Sequence, residues 1–186
     1  MTHSIYIALV HHPVVNKRGD IVTTSVTNFD LHDLSRNSST YGVKGCFIVT
    51  PSQAQQDMVA YIRNYWREGK GADYNPDRKE AFEALYISGS LEESCLTIKK
   101  AHDKAPKLIA TSAKSYDKVT LFRELREEIS NTEDPYLIVF GTGWGLAETI
   151  INSADAVLEP IKGPVAYNHL PVRSAVAIVL DRLLGQ

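Results

Sequence analysis

With 186 residues, 44% of them hydrophobic and 23% charged, the chain is long enough to bury a sizeable core and has the composition of an ordinary globular protein. A net charge of −2 excludes the global basic field that would by itself announce a nucleic-acid partner, although a local patch suffices for one. Cys46 and Cys95 are isolated and form no C-x-x-C, so neither a disulfide nor a metal site is expected. No apolar run approaches the roughly 18 residues of a membrane span, and no signal-peptide pattern opens the chain, so the expectation is one cytoplasmic domain over residues 1–186 with no membrane partner.

Residues 4–10 (S-I-Y-I-A-L-V) read as a buried strand stopped by His11-His12-Pro13. Residues 14–28 carry an N-K-R-G-D turn around Gly19 and then a hydroxyl-rich run that fits either a short edge strand or a functional loop. Asn28 or Asp30 caps a helix bearing Leu31, Leu34, Ser38 and Tyr41, ended by Gly42. A strand over 46–49 follows, then a helix capped by Ser52 with Met58, Val59, Ile62 and Trp66 at helical spacing. Residues 70–78 (K-G-A-D-Y-N-P-D-R) are polar and turn-rich and read as a surface loop. A third strand ends at Ser88-Gly89, Ser90 caps a helix to about 103, and residues 107–111 form a fourth strand. Residues 120–129 make an amphipathic helix whose Arg123, Glu124, Arg126, Glu127 and Glu128 form a solvated face.

Residues 136–146 (Y-L-I-V-F-G-T-G-W-G-L) organise the rest. Five apolar residues without alternation mark a strand buried on both faces, and Gly141, Gly143 and Gly145 break it before a helix opens at Leu146. That places backbone N–H groups at a sheet's carboxyl edge, where ligands of open α/β sheets bind. The G-x-G-x-G spacing is not the dinucleotide fingerprint. A short strand at 156–158 and a stiff Glu159-Pro160 turn precede the last helix, for which Asn168 can cap and Pro171 sits in the first turn. That helix is apolar nearly all round, which predicts burial on more than one side and hence a symmetric dimer. Strands alternate with helices throughout, so the fold class is α/β: a mostly parallel sheet with helices on both faces.

Three segments carry candidate chemistry. Residues 27–36 (T-N-F-D-L-H-D-L-S-R) are more polar than a plain cap requires, and Arg36 suits an anion such as a phosphate. The glycine turn is the second, and residues 159–175 are the third. His11 or His12 follows a strand at its carboxyl end, so at most one lines the site. No G-x-S-x-G elbow and no Walker G-K-[ST] is present.

Together these segments resemble the SPOUT class of RNA methyltransferases, in particular a small bacterial group also found fused to tRNA guanine-N1 methyltransferase. Its T-N-x-D-x-H-D-x-x-R, G-T-G-W-G-L and Y-N-H-L-x-V-R-S-A signatures stand here at 27–36, 141–146 and 167–175. The resemblance implies a C-terminal trefoil knot, S-adenosylmethionine as cofactor, a tRNA or rRNA substrate and a homodimer with the last helix at its interface. It implies that Gly141, Thr142, Gly143, Trp144, Gly145 and Leu146 cradle the methionine and ribose of the cofactor. Glu159, Pro160, Ile161, Asn168, His169, Leu170, Val172, Ser174 and Ala175 would then enclose its adenine. Ribose-methylating relatives pair Arg36 with an Asn six positions earlier; here that position is Asp30 and Asn28 is out of register, which leaves a ribose 2′-hydroxyl and a base nitrogen both open as acceptor. Arg36 is assigned to phosphate anchoring or proton handling, and Asp30 or His32 to the base. The alternative is a SPOUT-like module that holds cofactor or RNA without transfer. Lys17-Arg18 and residues 70–79 are the basic segments expected to face RNA.

Overall fold

The computed structural model describes residues 3–186. After β1 (Ile5–Val10) the chain makes a hairpin of β2 (Val14–Val15) and β3 (Ile21–Val22), then α1 (Asn28–Thr40), β4 (Gly45–Val49), α2 (Gln53–Arg67), α3 (Lys70–Tyr74), α4 (Pro76–Glu83), β5 (Leu85–Ser88) and α5 (Leu91–His102). It continues through β6 (Lys107–Ala110), α6 (Phe122–Ser130), β7 (Tyr136–Gly141), α7 (Glu148–Ser153), β8 (Ala156–Val157) and α8 (Val172–Leu184). Six strands pair in the order β5-β4-β1-β7-β6-β8, every pair parallel. Helices cover both faces, as the alternation of elements requires.

The two-residue period of a strand sorts β1 between two cores. Ile5, Ile7 and Leu9 pack with Leu34 of α1, Phe82 of α4, Leu125 of α6 and Leu180 of α8. Tyr6, Ala8 and Val10 pack on the other side with Ile98 of α5, Ile150 of α7 and Val14 of the hairpin. Each such fully buried aliphatic side chain contributes about 1.5–3 kcal/mol. The connection leaving β1 leads to α1 on one face and the connection leaving β7 to α7 on the other.

Four local expectations are corrected. Residues 70–78 are not a loop: Asn75 accepts from the Arg78 amide and caps α4 with Pro76 at its start, and α3 lies on α2 because a Cβ at Gly71 would sit 2.6 Å from Tyr65. Thr27, not Asn28 or Asp30, caps α1; its hydroxyl oxygen accepts from the Asp30 amide, and Asp30 returns the bond in a capping box. The helix after the glycine turn begins at Glu148, with the Ala147 amide already donating to Pro13. Pro171 precedes α8 as its N-cap, while the Asn168 amide donates instead to the Ala113 carbonyl at 2.9 Å.

The amino end of the sheet is closed by paired charge. Lys107 Nζ and Tyr136 OH both donate to Glu128 Oε1, the latter at 2.8 Å, and Lys104 donates to Asp134 at 2.5 Å. The hydrogen bond from Lys107, then that from Tyr136, holds the Glu128 carboxyl below the usual range, while burial and the same carboxylate raise the Tyr136 phenol.

Candidate functional site

The carboxyl end is open. A cavity of about 630 Å³ lies there, walled by the loops after β6, β7 and β8 and by α8. The turn after β7 supplies Gly141, Thr142, Gly143, Trp144 and Gly145; the last long connection supplies Glu159, Ile161, Asn168, His169 and Leu170; α8 adds Val172 and Ala175. Two of the three segments singled out in the sequence, the glycine turn and residues 159–175, therefore converge on one recess, and residues 27–36 do not line it.

Glycine is required in the turn for stated reasons. Gly143 and Gly145 hold φ of +60° and +111°, and a Cβ on Gly141 would stand 2.6 Å from the Leu146 amide nitrogen. The loop is strapped to the hairpin: Trp144 N donates to Val15 O and Val15 N to Gly145 O, each at 3.0 Å. A line of hydroxyls ties it to β1. Thr142 Oγ1 donates to Val10 O at 3.0 Å, Thr24 Oγ1 lies 2.5 Å from Thr142 Oγ1, and His11 Nδ1 lies 3.0 Å from Thr24 Oγ1. With the Thr142 proton directed at Val10, Thr24 donates to Thr142 and His11 donates through Nδ1. His11 Nε2 is then a buried acceptor with no partner among the described residues. Burial lowers the His11 pKa to about 4 against the opposing pull of Asp30, so the ring is neutral at pH 7.

Three residues assigned to the cofactor wall lie elsewhere. Leu146 and Pro160 are buried outside the cavity lining, Leu146 in the core beneath the turn, and Ser174 faces a second recess. That recess, of about 400 Å³ between α1 and α8, is lined by Asp33, Arg36, Asn37, Thr40, Pro171, Arg173, Ser174 and Ala177. Pro171 borders both. Arg36 is exposed there and has no ion-pair partner among the described residues.

The other candidates in α1 are engaged. Asp30 Oδ2 accepts from Thr27 N and Thr27 Oγ1 at 3.0 and 2.7 Å, and Oδ1 lies 3.7 Å from Arg173 Nε. His32 packs edge-on against Trp66 and Phe82, its Nδ1 3.2 Å from Arg78 Nη1; burial and then Arg78 lower its pKa. Asn28 is exposed in the first turn. Arg173, which sequence reasoning passed over, pairs with Asp33 at 2.6 Å and lies over the Phe29 ring, joining the first polar segment to the last. Also missed were Thr111, Ser112, Ala113 and Lys114 on the rim and Phe140, Leu158 and Val179 in the walls. The rule that ligands sit at strand carboxyl ends would have found the rim, had it been applied to β6 as it was to β7.

The lining suits a nucleoside with little net negative charge. Leu158, Ile161, Leu170, Val172 and Val179 offer flat apolar surface to a base, and Lys114 is the only Lys or Arg among the described lining residues, so no phosphate cradle is built. The Glu159 carboxylate accepts from the Phe122 amide at 2.7 Å. No group of three or more His, Cys, Asp or Glu suited to a metal is found among the described residues, nor any helix long and apolar enough to cross a membrane.

A family model described as SAM-dependent RNA methyltransferase matches residues 4–185. The chain belongs to this family. The methyltransferase is 38% identical over 186 residues to an uncharacterized protein of Aquifex aeolicus, across 100% of this chain and 91% of that one. It is 40% identical over 182 residues to a tRNA (guanine-N(1)-)-methyltransferase of Oleidesulfovibrio alaskensis, across 98% of this chain but only 42% of the relative. Among solved structures, the A. aeolicus TrmH/SpoU tRNA modifying enzyme superposes with a TM-score of 0.56 at 16% identity, covering 98% of this chain and 74% of that one. At that identity the likeness bears on the fold, and it agrees with the mostly parallel, doubly covered sheet of the SPOUT class.

Proposed function

We propose that the methyltransferase holds S-adenosylmethionine in the cavity behind the glycine turn and methylates a tRNA or rRNA nucleotide presented at the Arg36 recess, at a ribose 2′-hydroxyl or a base nitrogen. The observation that carries this reading is the shared wall at Pro171, which sets an apolar nucleoside-sized cavity beside a recess holding a guanidinium with no ion-pair partner among the described residues. The name of the O. alaskensis relative favours tRNA, although this chain spans less than half of that protein.

When bound, the cofactor supplies a methyl group already activated by its sulfonium. The chain's own work is alignment. The glycine turn fixes the floor through its backbone. Residues 158–171 wrap the apolar side, pinned to the β6–α6 loop by Glu159 N to Thr120 O and by Asn168 to Ala113; these links suit the trefoil knot of the class. Arg36 anchors a phosphate or orients the acceptor. Asp30 holds the start of α1 and Arg173, so its carboxylate serves positioning, and His32 braces α1 against α2 and α4. One domain and a homodimer complete the reading. Exposed Val165, Tyr167 and Leu170 on the last long connection offer apolar surface for the second subunit.

The test is Arg36→Ala, assayed by tritiated methyl incorporation into bulk tRNA and rRNA together with calorimetric titration of the cofactor. Transfer is expected to fall by about 100-fold or more while cofactor affinity holds. Unchanged incorporation would remove Arg36 from the mechanism.

A further inference from the structure

The β2–β3 hairpin lines neither recess, yet it is fastened directly to the glycine turn. Two backbone hydrogen bonds join Val15 to Trp144 and Gly145, the Ala147 amide donates to Pro13, and Thr24 meets Thr142. A Cβ on Gly143 would approach Val15 O to 3.2 Å, so hairpin and turn lie in direct contact. The hairpin tip is equally ordered. Asn16 Oδ1 accepts from the amides of Arg18 and Asp20 at 2.8 and 3.1 Å, and Asn16 Nδ2 donates to Asp20 at 3.0 Å. This turn holds out Lys17 and Arg18, both exposed and without an ion-pair partner among the described residues. Trp144 is 54% exposed on the adjoining cavity rim.

Charge around the mouth runs against that of the chain. In residues 16–20, 111–121 and 158–171, five Lys or Arg stand against three carboxylates, while the whole protein carries −2. One of the three, Glu159, is turned inward to the Phe122 amide. Two presented cations next to an exposed indole match the chemistry of a flexible nucleic-acid strand, in which phosphates alternate with flat bases.

We propose that this hairpin and Trp144 form the edge along which the RNA strand docks: Lys17 and Arg18 take successive phosphates, and Trp144 stacks on a base beside the acceptor nucleotide. The inference rests on the RNA-methylating reading above and gives that reading a place for the substrate. Mounting the cations on the cofactor turn fixes the distance from phosphate contact to methyl donor, so docking and alignment become one event.

The experiment uses the full chain and unfractionated bacterial tRNA, with binding followed by anisotropy over a salt series. In the double variant Lys17→Gln/Arg18→Gln, tRNA affinity is expected to drop about tenfold at low salt, and the slope of log affinity against log salt to flatten by about 1.4–1.8 for two lost phosphate contacts. Cofactor affinity, measured separately, stays at the parent value. Trp144→Ala is expected to weaken tRNA binding without altering the salt slope, and Trp144→Phe to restore most of it. An unaltered slope in the double variant overturns the proposal. So does a Trp144→Ala protein that keeps its tRNA affinity but sediments differently, which would give this face to a protein contact. A parent protein that binds cofactor but no tRNA defeats the RNA reading itself, and this inference with it.

Discussion

The two ends of the sheet treat polar groups in opposite ways. At the amino end Lys107, Tyr136 and Glu128 satisfy one another, Lys104 meets Asp134, and Tyr6 lies 2.9 Å from His102. At the carboxyl end Arg36 has no ion-pair partner among the described residues, His11 Nε2 has no hydrogen-bond partner there, and three glycines leave backbone uncovered. Both ends belong to the same strands, a few residues apart. Closure is therefore not imposed by the fold but by the choice of side chains, and the end that withholds partners is the one able to accept a ligand.

The sharpest way to break this contrast is to add one methyl group at the open end. In Gly141→Ala the new Cβ must displace the Leu146 amide, opening the turn by a fraction of an ångström. Cofactor affinity by calorimetry should fall by about 100-fold, as misplacements of that order do, with the far-ultraviolet spectrum unchanged. Retained affinity would mean that the turn is not part of the cavity floor.

A second, smaller effect comes from His11. Its folded pKa of about 4 lies below the value of an unfolded histidine, so between those values the unfolded chain binds the extra proton and stability rises with pH. The contribution is complete above the unfolded value and is lost as pH falls toward 4. Urea unfolding should show this group costing about 1–2 kcal/mol between pH 7 and pH 5, and His11→Gln should remove that share of the slope. An identical slope in the variant would place the titration elsewhere.

The smallest effect is expected at the closed end. Glu128 has a depressed pKa, so its stabilisation is present above the ordinary glutamate value and is lost as pH falls through the lower folded value. Glu128→Gln should flatten the stability profile in that acidic window while leaving methyl transfer at neutral pH unaffected. Because Lys107 and Glu128 are 45% and 42% exposed, solvent screens much of their attraction. A loss of activity in this variant would show that the two ends are coupled.

Much of this contrast is legible in the sequence. Unbroken apolar runs announce doubly buried strands, and Ser90 caps its helix through the Glu93 amide as its residue type suggests. The glycine turn and the last connection were identified from their residues. What escaped depends on partners distant in sequence. The T-x-x-D spacing of Thr27 and Asp30 is itself a local capping signal, but nothing local says that Asp30 is neighboured by Arg173 or that Ser174 borders the other recess. Residues 70–78 misled because Gly71 and Pro76 look like loop residues; Gly71 permits a close helix contact and Pro76 starts a helix. Lys114 follows a short strand whose carboxyl end lies beside that of β7, which brings it to the rim.

The last helix carries a constraint of another kind. Eight of its 13 residues divide among three surroundings: Val176, Leu180 and Leu183 enter the core, Val172 and Ala175 line the cavity, and Arg173, Ser174 and Ala177 border the Arg36 recess. Successive residues of a helix turn by about 100°, so a single insertion after Pro171 would rotate every following side chain into a neighbour's surroundings. The loop before it, exposed from Lys162 to Tyr167, has no such bookkeeping. Length variation among relatives should therefore gather in that loop and stop abruptly at the proline.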